Sequence, residues 1–266
     1  MNALARTARD GYVVTWRNIV SIRRTPDTLT AATIQPIMFV LLFAYVFGGS
    51  LGGASYREFM IPGIFAQTVA FNCMFTTIGL ANDLQKGIID RFRSLPMSRV
   101  AVILGRTSSD LAVNAFGLLI MSICGLIVGW RIRGSITDAI LGYLLLLLFA
   151  FAMSWIGAFI GLLISSVEAA QSAGMIWLFP VTFISSAFIS AQNLPGPLRG
   201  FASWNPITTV ADASRKFFGT PFPANLPQTT GWAADHSALY SMVCAIAIIA
   251  IFLPLAVWRY RRVASR

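Results

Sequence analysis

Six stretches of the chain stay apolar for about the 20 residues that a helix needs to cross the roughly 30 Å hydrocarbon layer of a bilayer. They are 29–48, 59–80, 107–129, 138–164, 171–191 and 238–258. Each is continuous rather than alternating, which predicts helices and not the shorter two-faced strands of a barrel. A helix also bonds every backbone group within one segment, as lipid demands. Pro36, Pro180 and Pro254 fall inside these runs and predict kinks. The pattern predicts an all-α, polytopic membrane protein forming a single domain over 1–266. Residues 1–28 form an inner-face segment, 29–191 carry five spans, 192–237 an outer segment, 238–258 the sixth span and 259–266 a tail.

Three polar stretches carry patterns of their own. In 10–24, Tyr12, Val13, Trp16, Ile19 and Val20 share one helical face, with Thr15, Arg17, Asn18, Ser21 and Arg24 largely on the other. That suits a helix lying in the bilayer interface; a basic flank that merely fixes topology is the simpler alternative. In 81–99, Leu84, Ile88, Phe92 and Leu95 recur at three- and four-residue intervals among Asp83, Lys86, Asp90, Arg91 and Arg93, until Pro96 ends the pattern. An apolar ridge with a charged rim suits a groove on a soluble partner; an interfacial loop is the alternative. After Pro206, a stripe of Ile207, Val210, Ala211, Ser214 and Phe218 predicts a short outer helix with Thr208, Asp212, Arg215 and Lys216 elsewhere on it. It reads as an outer lid over an exit path, built on Asn205, Pro206, Val210 and Phe218, or as a plain surface helix.

Composition sharpens this picture. Of 266 residues, 56% are hydrophobic and 11% charged, more apolar surface than a soluble fold of this length hides. The net charge of +10 comes from basic residues that border the apolar runs, so nucleic acid is not the expected partner. With the N-terminus inside, fourteen Lys and Arg lie on the inner side and six on the outer. Both termini are therefore expected in the cytoplasm. The first 28 residues lack the early apolar core of a signal peptide. Cys73, Cys124 and Cys244 lie unpaired inside apolar runs, and the lone His236 cannot build a histidine-based site. No metal site is expected.

The middles of the six runs hold no Asp, Glu, Lys, Arg or His. Asp110 and Asp138 lie near run starts, where interfacial water is expected to hydrate them. A proton relay or a membrane hydrolase needs ionisable groups at depth, so neither class is favoured; an ion-coupled carrier using sodium stays open. The deep polar groups are neutral: Gln35, Gln67, Asn72, Asn114, Ser154, Ser185 and Ser186. They serve either as hydrogen bonds between helices or, for Gln35, Gln67, Asn72, Asn114, Ser185 and Ser186, as the candidate path of an amphipathic substrate. No G-x-x-x-x-G-K-[ST] run occurs, so any ATP would be bound by another chain.

The run 86–99 (Lys-Gly-Ile-Ile-Asp-Arg-Phe-Arg-Ser-Leu-Pro-Met-Ser-Arg) resembles the signature loop of ABC-2 permeases of the daunorubicin-resistance type. The run 204–219 (Trp-Asn-Pro-Ile-Thr-Thr-Val-Ala-Asp-Ala-Ser-Arg-Lys-Phe-Phe-Gly) is similar to a second stretch of that family. The resemblance covers nearly the whole chain. It implies an interfacial helix, six spans and short re-entrant outer helices before the last span. It also implies a cytoplasmic ABC ATPase in two copies, carrying ATP and Mg, that meets Lys86, Ile88, Asp90, Arg91, Phe92, Arg93, Leu95 and Pro96. The chain itself would be a transport subunit rather than an enzyme, paired with a second copy in a bacterial cytoplasmic membrane. A hydrophobic or amphipathic drug, antibiotic or lipid is the implied cargo. Lipid-linked polysaccharide or a cell-wall polymer is the alternative cargo, and a secondary carrier without ATPase the alternative class.

Overall fold

A computed structural model describes residues 11–13, 15–17, 20, 26–47, 53–88, 99–224 and 226–263, with the backbone alone at 26–33, 47, 99, 100 and 263. The described residues fold into helices joined by turns. Helix α1, Pro26–Leu41, tightens into a π-helix at Leu42–Phe47. Helices α2, Gly53–Phe71, and α3, Cys73–Gln85, are two halves of one span interrupted only at Asn72. There follow α4, Arg99–Val128, α5, Ile136–Leu163, and α6, Val167–Phe183. The outer segment holds a 3-10 turn, Ala191–Asn193, then α7, Gly196–Trp204, α8, Pro206–Phe217, and α9, Trp232–Asp235. Helix α10, Ser237–Val263, closes the chain and carries Arg261 and Arg262 in its last turn.

Among the described residues, four helical stretches are long and apolar enough to cross a membrane: Gly53–Gln85, Ala101–Val128, Ile136–Leu163 and Ser237–Arg262. The expected spans at 29–48 and 171–191 are less complete. Ile34–Val46 is a short apolar helix. Helix α6 stops at Phe183, where the N–H of Ile184 closes on the carbonyl of Pro180. Its 17 residues reach about 26 Å at 1.5 Å per residue, short of the hydrocarbon thickness. Residues 184–190 leave the helix because the outer segment captures them. The Ser186 N–H donates to Thr208 Oγ1 and its hydroxyl to Asp212. Helices α1 and α6 continue past Pro36 and Pro180. Helix α10 likewise runs through Pro254 unbroken. Between α2 and α3, Asn72 keeps helical backbone angles, φ −62° and ψ −16°, and its N–H still bonds the Thr68 carbonyl at 2.9 Å.

Helix α5 is the central post, packed against α2, α3, α4, α8 and α10. Lipid tails are as apolar as leucine side chains, so close approach of backbones has to hold such helices together. Here α3 and α5 do approach closely. A Cβ added to Gly161 would stand 2.5 Å from the Thr77 carbonyl oxygen. Thr77 Oγ1 donates to the Gly157 carbonyl at 3.0 Å. On the outer side, Phe218 sits fully buried among Phe65, Trp130 and Tyr143, with ring centroids 5.0–6.2 Å away.

Candidate functional site

Between α1, the α2–α3 span and α6 lies a cavity of about 370 Å³. Its wall is mostly aromatic and sulfur-bearing: Phe39, Phe71, Phe75, Phe179 and Phe183, with Met74 and Met175. Pairs of these rings already touch. Phe179 stacks on Phe183 at 5.5 Å, and Phe71 meets Phe179 edge-on at 5.5 Å. The polar groups in the wall are Gln35, Gln67, Thr68, Asn72 and Gln171. Among the lining residues there is no formal charge. Gln67 is 3% exposed, and its Oε1 has no hydrogen-bond partner. An unpaired buried carbonyl costs about 1–3 kcal/mol. An apolar, aromatic chamber with few polar groups suits a planar, weakly polar ligand whose donor could satisfy that oxygen.

The residues expected along a path divide between this chamber and its supports. Gln35, Gln67 and Asn72 line it. Asn114 stands behind the wall, accepting from Asn72 Nδ2 at 2.8 Å and donating to the Asp110 carbonyl at 2.9 Å. Ser185 and Ser186 lie in the turn after α6 and bond to Thr182 and to the outer segment. Ser154 donates back to the Ala150 carbonyl within α5. Gln171 and the phenylalanine wall were not singled out from sequence, although Gln171, Met175, Phe179 and Phe183 follow helical spacing along one face of α6.

Asp110 departs from expectation. Instead of meeting interfacial water it is 5% exposed, about 17 Å along α4 from that helix's start. Thr76 Oγ1 donates to its Oδ2 at 2.6 Å, and Arg106 Nε lies 3.5 Å from its Oδ1. Arg106 Nη2 also donates to the Phe75 carbonyl at 3.0 Å. The span interior therefore holds a charged pair.

At the C-terminal end of α3, Lys86 caps the helix and Gly87 turns the chain with φ 63°. Lys86 and Ile88 are exposed or half-buried there. Asp90, Arg91, Phe92, Arg93, Leu95 and Pro96 lie outside the described residues. The N-terminal helical residues rest on α4, with Thr15 Oγ1 donating to the Gly105 carbonyl at 3.3 Å. Tyr12 and Trp16 point away, both more than half exposed, as an acyl-facing side would be, and Arg17 is exposed. Val20 is half-buried, and Ile19 lies outside the described residues.

On the outer side, α8 is sunk into the bundle on both of its faces. Thr208, Asp212 and Arg215, expected away from the apolar stripe, are buried like Val210. Asn205 caps α8 by accepting from the Ile207 N–H, and its Nδ2 donates to the Val181 and Ile184 carbonyls. Pro206 occupies the first helical position, where its missing N–H is harmless. Arg215 donates to the carbonyls of Phe59, Ser186 and Ala187 and to Asp212. The guanidinium carbon sits 3.7 Å over the Phe59 ring. Near the surface, Glu58 holds Arg133, which raises the guanidinium pKa further.

The profile of ABC-2 type transporters matches residues 10–218. The chain is 29% identical to the daunorubicin resistance ABC transporter permease protein DrrB1 of Streptomyces coeruleorubidus, over 92% of this chain and 84% of that protein. It is 23% identical to the inner membrane transport permease YadH of Escherichia coli K12, over 82% and 86% of the two chains. The doxorubicin resistance ABC transporter permease protein DrrB of Mycobacterium tuberculosis is 29% identical over 46% of this chain and 44% of its own.

Proposed function

Because the chain belongs to the ABC-2 type transporter family, we propose that it is the permease subunit of an ATP-driven exporter of planar apolar or amphipathic molecules. The observation that carries the cargo class is the cavity, an uncharged aromatic and methionine chamber with one unpartnered amide oxygen. Two relatives bear drug-resistance names, daunorubicin for one and doxorubicin for the other. Both names support a fused-ring amphiphile as cargo. Trp155 and Trp177, the deep tryptophans that a sugar track could have used, are not in the cavity wall.

In this reading two copies of the permease pack side by side, with α1 and α6 facing the partner. Ile34, Met38, Ile176 and Phe179, all exposed, supply the apolar rim. Two cytoplasmic ATPase subunits bind ATP and Mg and dock on the 86–96 loop. Both termini lie in the cytoplasm of a bacterial cell, as the inner excess of basic residues supports. Counting α1 with its π-helical end and α6 as shorter spans gives six crossings, with α7 and α8 as the re-entrant outer pair. Substrate enters sideways from the inner leaflet. Closure of the ATPases pushes on the loop, and the cavity opens outward. The cargo shifts that equilibrium only as far as it binds one state better than the other.

The test is reconstitution of the permease with its co-purifying ATPase in inside-out proteoliposomes, with doxorubicin fluorescence reporting uptake. ATP-dependent accumulation supports the reading. Uptake by the permease alone under an ion gradient, with none added by ATP and the ATPase, refutes it.

A further inference from the structure

Helix α4 presents Arg106, Asp110 and Asn114 at four-residue intervals, which places them on one face. Opposite them the antiparallel α2–α3 span offers the Phe75 carbonyl, Thr76 and Asn72. These contacts form a largely buried polar ladder between the two spans. Its lower end lies within α3, which carries the Lys86–Ile88 turn. Its upper end is Asn72, which lines the cavity and joins α2 to α3. Above Asn72, α2 is buried over most of its length and tied by the Phe59 carbonyl to Arg215. Below it, α3 is held to α4 by the ladder and to α5 by backbone approach at Gly157 and Gly161. Asn72 therefore touches the cavity and the ladder together.

We infer that the Asn72–Asn114–Asp110–Thr76–Arg106 ladder is the element that couples occupation of the cavity to movement of the inner loop. A ligand against Asn72 competes for or reinforces the bond to Asn114. That bond sets the angle of α3 against α4, and α3 moves the loop on which the ATPase docks. Asp110 and Thr76 act as positioning residues: neither lines the cavity, and each fixes the register of α3 on α4. Acceptors at four-residue spacing give a donor on α3 two positions one helical turn apart, the kind of discrete step a coupling element needs. This coupling role rests on the exporter reading given above.

Thr76 gives the cleanest test, because Thr76→Val is nearly isosteric, buried and outside the cavity, and removes only the hydroxyl that Asp110 accepts from. In nanodiscs holding permease and ATPase, doxorubicin stimulation of ATP hydrolysis is measured beside basal hydrolysis and doxorubicin affinity. The T76V complex is expected to keep basal hydrolysis and affinity but to lose about five-fold in stimulation. The T76S complex, which keeps the hydroxyl, is expected to restore it. A spin label at Q85C, read against one at A112C, both exposed positions, is expected to lose its doxorubicin-dependent distance change in T76V and regain it in T76S. Stimulation and label movement in T76V equal to wild type overturn the ladder while leaving the exporter reading intact. A wild-type complex that neither transports nor responds to doxorubicin overturns the exporter reading itself.

Discussion

Removing the head of Arg215 while keeping its stem isolates what the outer pair contributes. Arg215 is 4% exposed. Its Nε lies 2.9 Å from the Phe59 carbonyl, Nη2 2.8 and 3.1 Å from those of Ser186 and Ala187, and Nη1 2.7 Å from Asp212. Arg215→Met leaves apolar contact with the Phe59 ring but strands three carbonyls and one carboxylate. Each stranded acceptor costs about 1 kcal/mol or more, and an uncompensated buried charge brings the total to about 3–5 kcal/mol. For a chain of this size 1 kcal/mol moves the midpoint by about 2–4 °C, so an apparent fall of roughly 6–20 °C is expected. The three free cysteines, one buried and two half-buried, make a thiol-reactive dye a direct unfolding probe at fixed scan rate. Adding Asp212→Asn to R215M removes the stranded charge and should recover at least about 1 kcal/mol. A fall below about 2 °C in R215M, or a double variant less stable than R215M, refutes the charge-compensation argument.

Gln67→Leu removes the unpartnered oxygen; it should raise the midpoint slightly by the same dye assay while weakening doxorubicin binding about ten-fold, and unchanged affinity removes Gln67 from the recognition surface. Gly161→Ala puts a Cβ within 2.5 Å of the Thr77 carbonyl, so α3 must shift off α5 at a cost of about 1–3 kcal/mol, seen as earlier unfolding. For orientation, K86C should react with an impermeant maleimide only from the cytoplasmic side of vesicles and R133C only from the other. The reverse pattern inverts the topology. Phe218→Ala should cost about 3–5 kcal/mol, because the ring fills a pocket formed by Phe65, Trp130 and Tyr143 and nothing replaces it.

Hydropathy located the long helices well because lipid acts on every residue of a span alike. It placed 107–129, 138–164 and 238–258 close to α4, α5 and α10. It failed where a single tertiary contact decides. The run 171–191 is largely apolar, yet its last third uncoils because Thr208 and Arg215 offer its backbone better partners. Asp110 lies three residues into the apolar run 107–129, which predicts hydration; the helix begins at Arg99, which puts the carboxylate one-third of the way along. Its signal was nonetheless present. Polar residues at 72 and 76 on one segment, and at 106, 110 and 114 on the next, keep helical spacing inside apolar surroundings. Two such stripes on neighbouring antiparallel helices predict each other. Arg215 left no comparable mark, since its partners at 59, 186 and 187 are backbone carbonyls, which any residue supplies.

An unsatisfied polar atom does not by itself point to a ligand. Besides Gln67 Oε1, the buried atoms without partners include Trp155 Nε1, Thr182 Oγ1 and Asp212 Oδ2. Asp212 even lines a second, smaller cavity of about 230 Å³ on the outer side, with Lys216 and Asp235. The two cavities differ in what surrounds the unmatched oxygen. In the outer one, Arg215 and Lys216 stand beside the carboxylates of Asp212 and Asp235, so the charge on Asp212 is already compensated within the protein and its unmatched oxygen selects no ligand. Around Gln67 the wall is mainly phenyl rings and thioethers, beside the uncharged Gln35, Thr68, Asn72 and Gln171, so no formal charge competes for the oxygen. An apolar body brings its own match to those walls and needs only one donor for the amide. The same oxygen that weakens the empty protein then favours the loaded one, and that difference is what a transport cycle can use, because a ligand that satisfies the site in one conformation and not the other shifts the balance between them.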